Sequence, residues 1–141
     1  MKTAPTGGSV DEFFASLPPD RLPLMTWCHD TIVRLAPELD VKLWGKIVGY
    51  GQMRFRYASG KEGDWFPIGV ANQKQYVSLY VCIVEDGAYL AEARAERLGK
   101  VKVGRSCINM KKLGDVNLVE LEALLVHAVA LIRHGAGVFG L

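Results

Sequence analysis

GKVKVGRS, residues 99–106, has the spacing of a phosphate loop, G-x-x-x-x-G-K-[ST], with Arg105 where the lysine belongs. In such a loop, backbone N–H groups and the N-terminus of a following helix converge on phosphate oxygens. The flanking sequence runs in the wrong order for that chemistry. AEARAERL, a helical pattern, precedes Gly99, and the apolar strand-like segment SCINM (106–110) follows. Val101 and Val103 are β-branched and resist the turns a phosphate cradle needs. In a chain with 15 glycines the spacing is a weak signal. Nucleotide binding by this stretch is not expected.

Other chemistry-bearing residues are scattered. His29 follows Cys28, and His127 and His134 stand two helical turns apart, too far for both imidazoles to reach one ion unaided. CxxC, HxxxH and paired acidic motifs are missing, so the residues predict no transition-metal site. Ser106-Cys107 beside Arg105 could hold an activated thiol, since neighbouring positive charge favours the thiolate. Strand alternation, however, turns Cys107 away from Ser106 toward apolar neighbours, and no base lies close in sequence. No catalytic residue is predicted.

The third constellation is a polar strand face. Tyr76, Ser78 and Tyr80 fall on one side of their strand, opposite Val77, Leu79 and Val81, with Lys74 just before them. Arg54 and Arg56 share one side of another strand, and Arg105 and Ser106 begin a third. Long polar side chains over a solvated sheet face are one reading. The other is a groove in which Lys74, Tyr80, Arg105 and Ser106 converge on a small anionic or polar ligand by charge-assisted hydrogen bonds.

The elements that would carry these residues are legible in part. Residues 1–8 form a flexible lead. Ser9 and Glu12 make a capping box for a short helix from Val10 to about Leu17, ended by Pro18-Pro19. Asp20 is expected to cap a second helix with Leu24, Cys28, Ile32 and Leu35 as its buried stripe, closed by Ala36-Pro37. Alternation at Met53, Phe55 and Tyr57, the turn-rich SGKEGD (59–64) and then WFPIGVA predict a hairpin, with Pro67 at an edge or bulge. Asp86–Leu98 reads as one charged helix stopped by Gly99. Asn117 and Glu120 cap a last helix whose stripe is Leu118, Leu121, Leu125, Ala128 and Ile132, with Gly135 at its C-cap and 136–141 a short tail. Successive strands with flanking helices predict an α+β domain, residues 9–135, built on a largely antiparallel sheet.

Composition bounds the function classes. The 141 residues are one domain's length, half hydrophobic and 23% charged, with a net charge of only +2. No run of like charge suggests nucleic acid, and no segment has the length of a membrane span or the apolar core of a signal peptide. A cytoplasmic location is the default expectation, consistent with three widely spaced cysteines read as reduced thiols. Oligomeric state is open.

Several stretches resemble the YdhG-like family, a bacterial domain of unknown function. They are LWGKIVGYG (43–51), MRFRYASGKEGDW, the Lys74…SLY segment, LGKVKVGRSC and DVNLVELEALL, within residues 10–132. Lys often stands in the family where this chain has Arg105. The resemblance implies an α+β fold with a central, largely antiparallel sheet and supplies no catalytic residue. It also brings in a frataxin-like possibility, iron held by surface carboxylates, for which Asp11, Glu12, Asp20, Glu38 and Asp40 are available. A net basic chain is a poor collector of cations. Three classes follow: a small-ligand binding module first, an iron-handling chaperone second, an enzyme third.

Overall fold

The computed structural model describes residues 5–56, 60 and 62–135. The chain opens with α1 (Val10–Ala15), whose first turn is capped by Ser9 Oγ accepting from the Glu12 N–H at 3.2 Å. The described part of the lead is tied down rather than loose. Thr6 donates its N–H to the Leu43 carbonyl at 2.9 Å and accepts from the Gly45 N–H at 2.9 Å. The second helix, α2 (Leu22–Leu35), starts one residue later than an Asp20 cap would place it. Arg21 occupies the N-cap without a side-chain bond, and Asp20 lies 3.7 Å from the Arg21 Nε. Leu24, Cys28 and Ile32 are buried as their spacing predicts, and Ala36 ends the helix before Pro37.

Two four-residue strands, β1 (Val41–Trp44) and β2 (Ile47–Tyr50), follow as a hairpin turning at Gly45, whose φ of +66° suits glycine. Neither is evident from alternation alone. β3 (Met53–Arg56) and β4 (Glu62–Trp65) form a separate two-stranded ribbon; the expected loop partly overlaps residues 57–59 and 61, outside the described residues. The predicted single strand 65–71 is therefore two: the chain breaks at Phe66-Pro67 and re-enters as β5 (Ile68–Asn72). Pro67 falls between strands, where its missing N–H costs no ladder bond. β6 (Val77–Val81) pairs with β5, with Ile68 opposite Val81 and Asn72 opposite Val77.

The expected helix 86–98 is replaced by smaller pieces. β7 (Val84–Glu85) and β8 (Ala88–Tyr89) form a tight hairpin, then come the one-turn α3 (Leu90–Ala93) and a 3-10 turn, Ala95–Arg97. Asp86 and Gly87 both have positive φ, +53° and +81°, as a two-residue Asp-Gly hairpin turn requires. β9 (Lys102–Val103) and β10 (Cys107–Met110) follow, so Gly99–Ser106 is one arm and the turn of a β-hairpin. α4 (Leu118–Arg133) closes the domain as predicted: Asn117 Oδ1 accepts from the Glu120 N–H at 3.3 Å, and Gly135 takes φ +76°.

The principal sheet has six strands in the order β1-β2-β5-β6-β10-β9, every neighbouring pair antiparallel. The fold is thus α+β, with α2 and α4 contributing to its core. One face is mainly apolar: Val48, Ile68, Val70, Leu79, Val81, Ile108 and Met110 are all inaccessible, as are Leu121, Leu124 and Leu125 of α4. Tyr50 reaches from this face to α2, where its hydroxyl and His29 Nδ1 are hydrogen-bonded at 2.7 Å.

The opposite face departs from a solvated polar surface. Gly49 and Gly69 are direct cross-strand partners, and their missing side chains leave a flat patch occupied by the Trp44 indole over Gly49 and the Phe66 ring over Gly69. A Cβ on Gly69 would stand 2.5 Å from Phe66 Cε1. Trp65 stacks on Phe66 at 4.3 Å between centroids, and Trp44 and Tyr80 meet its edges at 5.7 and 5.8 Å. An aromatic slab therefore covers the centre of this face, and polar groups gather at its margins. Arg54, expected on the sheet, belongs to the ribbon and is paired with Asp64 at 3.3 Å.

Candidate functional site

The four residues predicted to share a site fall into two groups. Cys107 pairs with Tyr80 and Met110 with Val77, so Ser106 lies opposite Val81, whose N–H donates to its carbonyl at 2.7 Å, and Arg105 lies just beyond that end of β6. Lys74 lies beyond the other end, in the turn between β5 and β6. The five residues of β6 separate them, about 17 Å at the usual rise per residue. Arg105 and Lys74 are both exposed, and the structure does not bring them together. Tyr80 lies on the intended face, half-buried, with its ring against Phe66 and its hydroxyl accepting from Gln73 Nε2 at 3.2 Å. Burial raises the Tyr80 hydroxyl above its ordinary value, with the neighbouring Cys107 adding to the effect.

The Ser106 end holds two thiols, Cys82 and Cys107, and burial disfavours the thiolate at both. Burial pushes Cys82 up to about 12, against hydrogen bonds from Trp65 and Ser106. Burial likewise raises Cys107, against a backbone hydrogen bond from Gly104. Both are therefore protonated at neutral pH and neither is an activated nucleophile. The histidines are engaged elsewhere: His29 with Tyr50, His127 Nε2 with Glu85 at 2.8 Å, and His134 Nδ1 with the Ala130 carbonyl at 2.7 Å. Of the acids suggested for iron, Glu38 is gripped by Arg133 at 2.6 and 3.0 Å. Among the described residues no group of three histidine, cysteine or carboxylate side chains could hold a metal ion.

The Lys74 end has a polar hollow of about 460 Å³ that also involves Arg21 and Lys46. Arg21 is spent on structure there. Its guanidinium donates to Asn72 Oδ1 and to the carbonyls of Gln73 and Lys74, at 3.0 to 3.2 Å, fixing the β5–β6 turn to α2.

A better-defined cavity, about 430 Å³, lies at the outer corner of the sheet. Antiparallel pairing builds it. Lys102 of β9 stands directly opposite Asn109 of β10, so the two side chains share a face. Lys111, two residues beyond Asn109, and Lys100, two before Lys102, line the same cavity. Tyr76 and Gln75 close it from the β5–β6 turn, with Val101 and Asp115 completing the wall. Asp115 is the single carboxylate there. Among the described residues, none of the three lysines makes an ion pair.

Gly99 makes this corner possible. Its φ is +95°, and a Cβ would stand 2.5 Å from the Asp115 carbonyl oxygen. The close approach lets Lys100 donate its N–H to that carbonyl at 2.8 Å, and Asn117 donate to the Leu98 carbonyl at 2.9 Å. The glycine that begins the phosphate-loop spacing thus docks the Lys100–Lys102 segment against the lead-in to α4.

Lys100, Lys102, Asn109 and Lys111 are not among the site residues expected from the sequence. The signal present was the alternation Lys-Val-Lys-Val over 100–103, with Val101 and Val103 packed against the core and Lys102 exposed. No helix among the described residues is long and apolar enough to cross a membrane. No protein-family model, curated protein or solved structure matches the chain.

Proposed function

We propose that this protein is a small-ligand binding module of YdhG-like type, and that its ligand is an anion held at the Lys100, Lys102 and Lys111 corner. One observation carries this: three lysines that make no ion pair among the described residues line one cavity that contains a single carboxylate. Surface cations ordinarily intermingle with acids, and clustered like charges repel one another unless an anion intervenes. The cavity's size is within the range of small-molecule sites. Its polar groups are mostly donors, the ammoniums and the amides of Asn109 and Gln75, which suits a ligand rich in acceptors. The expected class of ligand is retained, and its proposed location moves from Lys74, Tyr80, Arg105 and Ser106 to this corner.

Calorimetry at low ionic strength tests it, with phosphate, phosphate esters and di- and tricarboxylates as titrants. Binding is expected for one or more of them, weakening as salt is added. It should be lost in the combined Lys100→Gln, Lys102→Gln and Lys111→Gln variant and kept in Arg105→Gln. Binding lost in Arg105→Gln but kept in the triple variant, or no binding by any anion, would overturn the proposal.

A further inference from the structure

We infer that the ligand of this corner is a phosphate monoester, its phosphate among the three lysines and the Asn109 amide, its ester group against Tyr76. This rests on the anion-site proposal above and narrows it by three observations.

The first is charge. Three ammoniums against the one carboxylate of Asp115 leave two positive charges uncompensated in the cavity. A phosphate monoester carries about −1.5 to −2 at neutral pH, close to that excess. The second is donor geometry. No arginine lines the cavity, so the planar fork that grips either a carboxylate or a phosphate by two parallel bonds is missing. Lysine ammoniums act as point charges, which can meet the tetrahedrally arranged oxygens of a phosphate from several sides.

The third observation is a hydrogen bond beneath the cavity. Ser78 is 2% exposed, and its Oγ donates to Asn109 Oδ1 at 2.7 Å. The two are cross-strand partners, which holds this contact in register. A buried hydroxyl needs a partner, and taking the amide oxygen leaves Asn109 Nδ2 as the group offered to the cavity. The Asn109 side chain is thereby fixed as a donor among lysines, where an anion's oxygens would lie. Ser78 is a positioning residue: it touches no ligand and sets which end of the amide faces one. The cavity is larger than a bare phosphate, and Tyr76 on its remaining wall offers an aromatic surface to an apolar or planar ester group.

The test compares phenyl phosphate, inorganic phosphate and phthalate by calorimetry at constant low ionic strength. Phthalate matches phenyl phosphate in ring and charge and differs in the anionic group. Phenyl phosphate is expected to bind about tenfold or more tighter than phthalate, as one additional charge-assisted hydrogen bond provides, and tighter than inorganic phosphate through the contact of its ring with Tyr76. Its affinity should fall as pH drops through about 6, where the monoester takes up its second proton. Asn109→Asp, which presents a carboxylate to the phosphate, should abolish binding. Ser78→Ala should weaken phenyl phosphate by about threefold to tenfold while leaving phthalate unchanged, and Ser78→Thr should restore it. Urea midpoints of each variant separate these effects from unfolding. Phthalate binding as tightly as phenyl phosphate would overturn the phosphate assignment and leave the anion site standing. Folded Ser78→Ala binding phenyl phosphate as wild type does would overturn the role of Asn109. No binding by any of the three probes, nor by the wider set of anions, would remove both proposals.

Discussion

Replacing Gly99 by alanine places a methyl group where the backbone of 115–117 already passes. The new Cβ would stand 2.5 Å from the Asp115 carbonyl oxygen and 2.9 Å from the Asn117 nitrogen. Both atoms are backbone, so no side chain can swing aside. The φ of +95° adds about 1–2 kcal/mol for an L residue in left-handed territory. Relieving the overlap by a backbone shift adds about 1–3 kcal/mol, the usual cost of overpacking. Together they predict a loss of about 2–5 kcal/mol, which leaves an ordinary domain folded but lowers its urea midpoint by about 1 M or more. Gly114→Ala is the control. Its Cβ would meet nothing within 4 Å and its φ is not positive, so it should be neutral or slightly stabilising. Because the shift moves Lys100 relative to Asp115, Gly99→Ala should also weaken anion binding, measured by calorimetry below the midpoint. Equal midpoints for Gly99→Ala and Gly114→Ala would refute the close-approach account.

Further outcomes follow from other parts of the fold. Phe66→Ala should cost about 3–5 kcal/mol by emptying the ring's place over Gly69; Gly69→Ala should cost about 1–3 kcal/mol by crowding it. Asn117→Ala should lose about 1 kcal/mol with the cap of α4, read by thermal or urea unfolding. Burial holds His29 below its ordinary 6.5, opposed by the charges of Asp30 and Asp11. Its folded form therefore resists protonation, so the stability it contributes is full above about pH 6.5 and declines as pH falls below that, and His29→Gln should flatten the urea midpoint over this window. Glu38 is held down to about 2, mainly by its hydrogen bond from Arg133. Its contribution is present above the unfolded value of 4.5 and is lost as pH falls toward 2, a dependence that Arg133→Gln should remove.

What was legible in the sequence was what local physics decides. Asn117, Glu120 and the apolar spacing after them specify α4 without outside help, and alternation from Val77 to Val81 places the buried face of β6 correctly. The misreadings occurred where distant contacts decide. β2 is not evident from alternation, and its Gly49 is required by a distant contact, since the Trp44 indole lies where a Cβ would stand. Charged residues after Asp86 suggest one long helix, but the positive φ of Asp86 and Gly87 commits the chain to a hairpin first. The same division applies to the site. Tyr76, Ser78 and Tyr80 were rightly placed on one face by period two, but which end of β6 each cation would occupy depends on the β6–β10 register. That register carries Arg105 away from Lys74. Pairing Lys102 with Asn109 then gathers residues from 75 to 115 around one cavity.

The most direct test of the anion site is a titration of ¹⁵N-labelled protein with phenyl phosphate at low salt, followed by amide and side-chain NMR shifts. Saturating changes are predicted at Tyr76, Lys100, Lys102, Asn109 and Lys111, including the Asn109 side-chain amide. Saturating changes confined to Arg105 and Ser106, or to Lys46 and Lys74, would contradict the account, as would a spectrum that does not move.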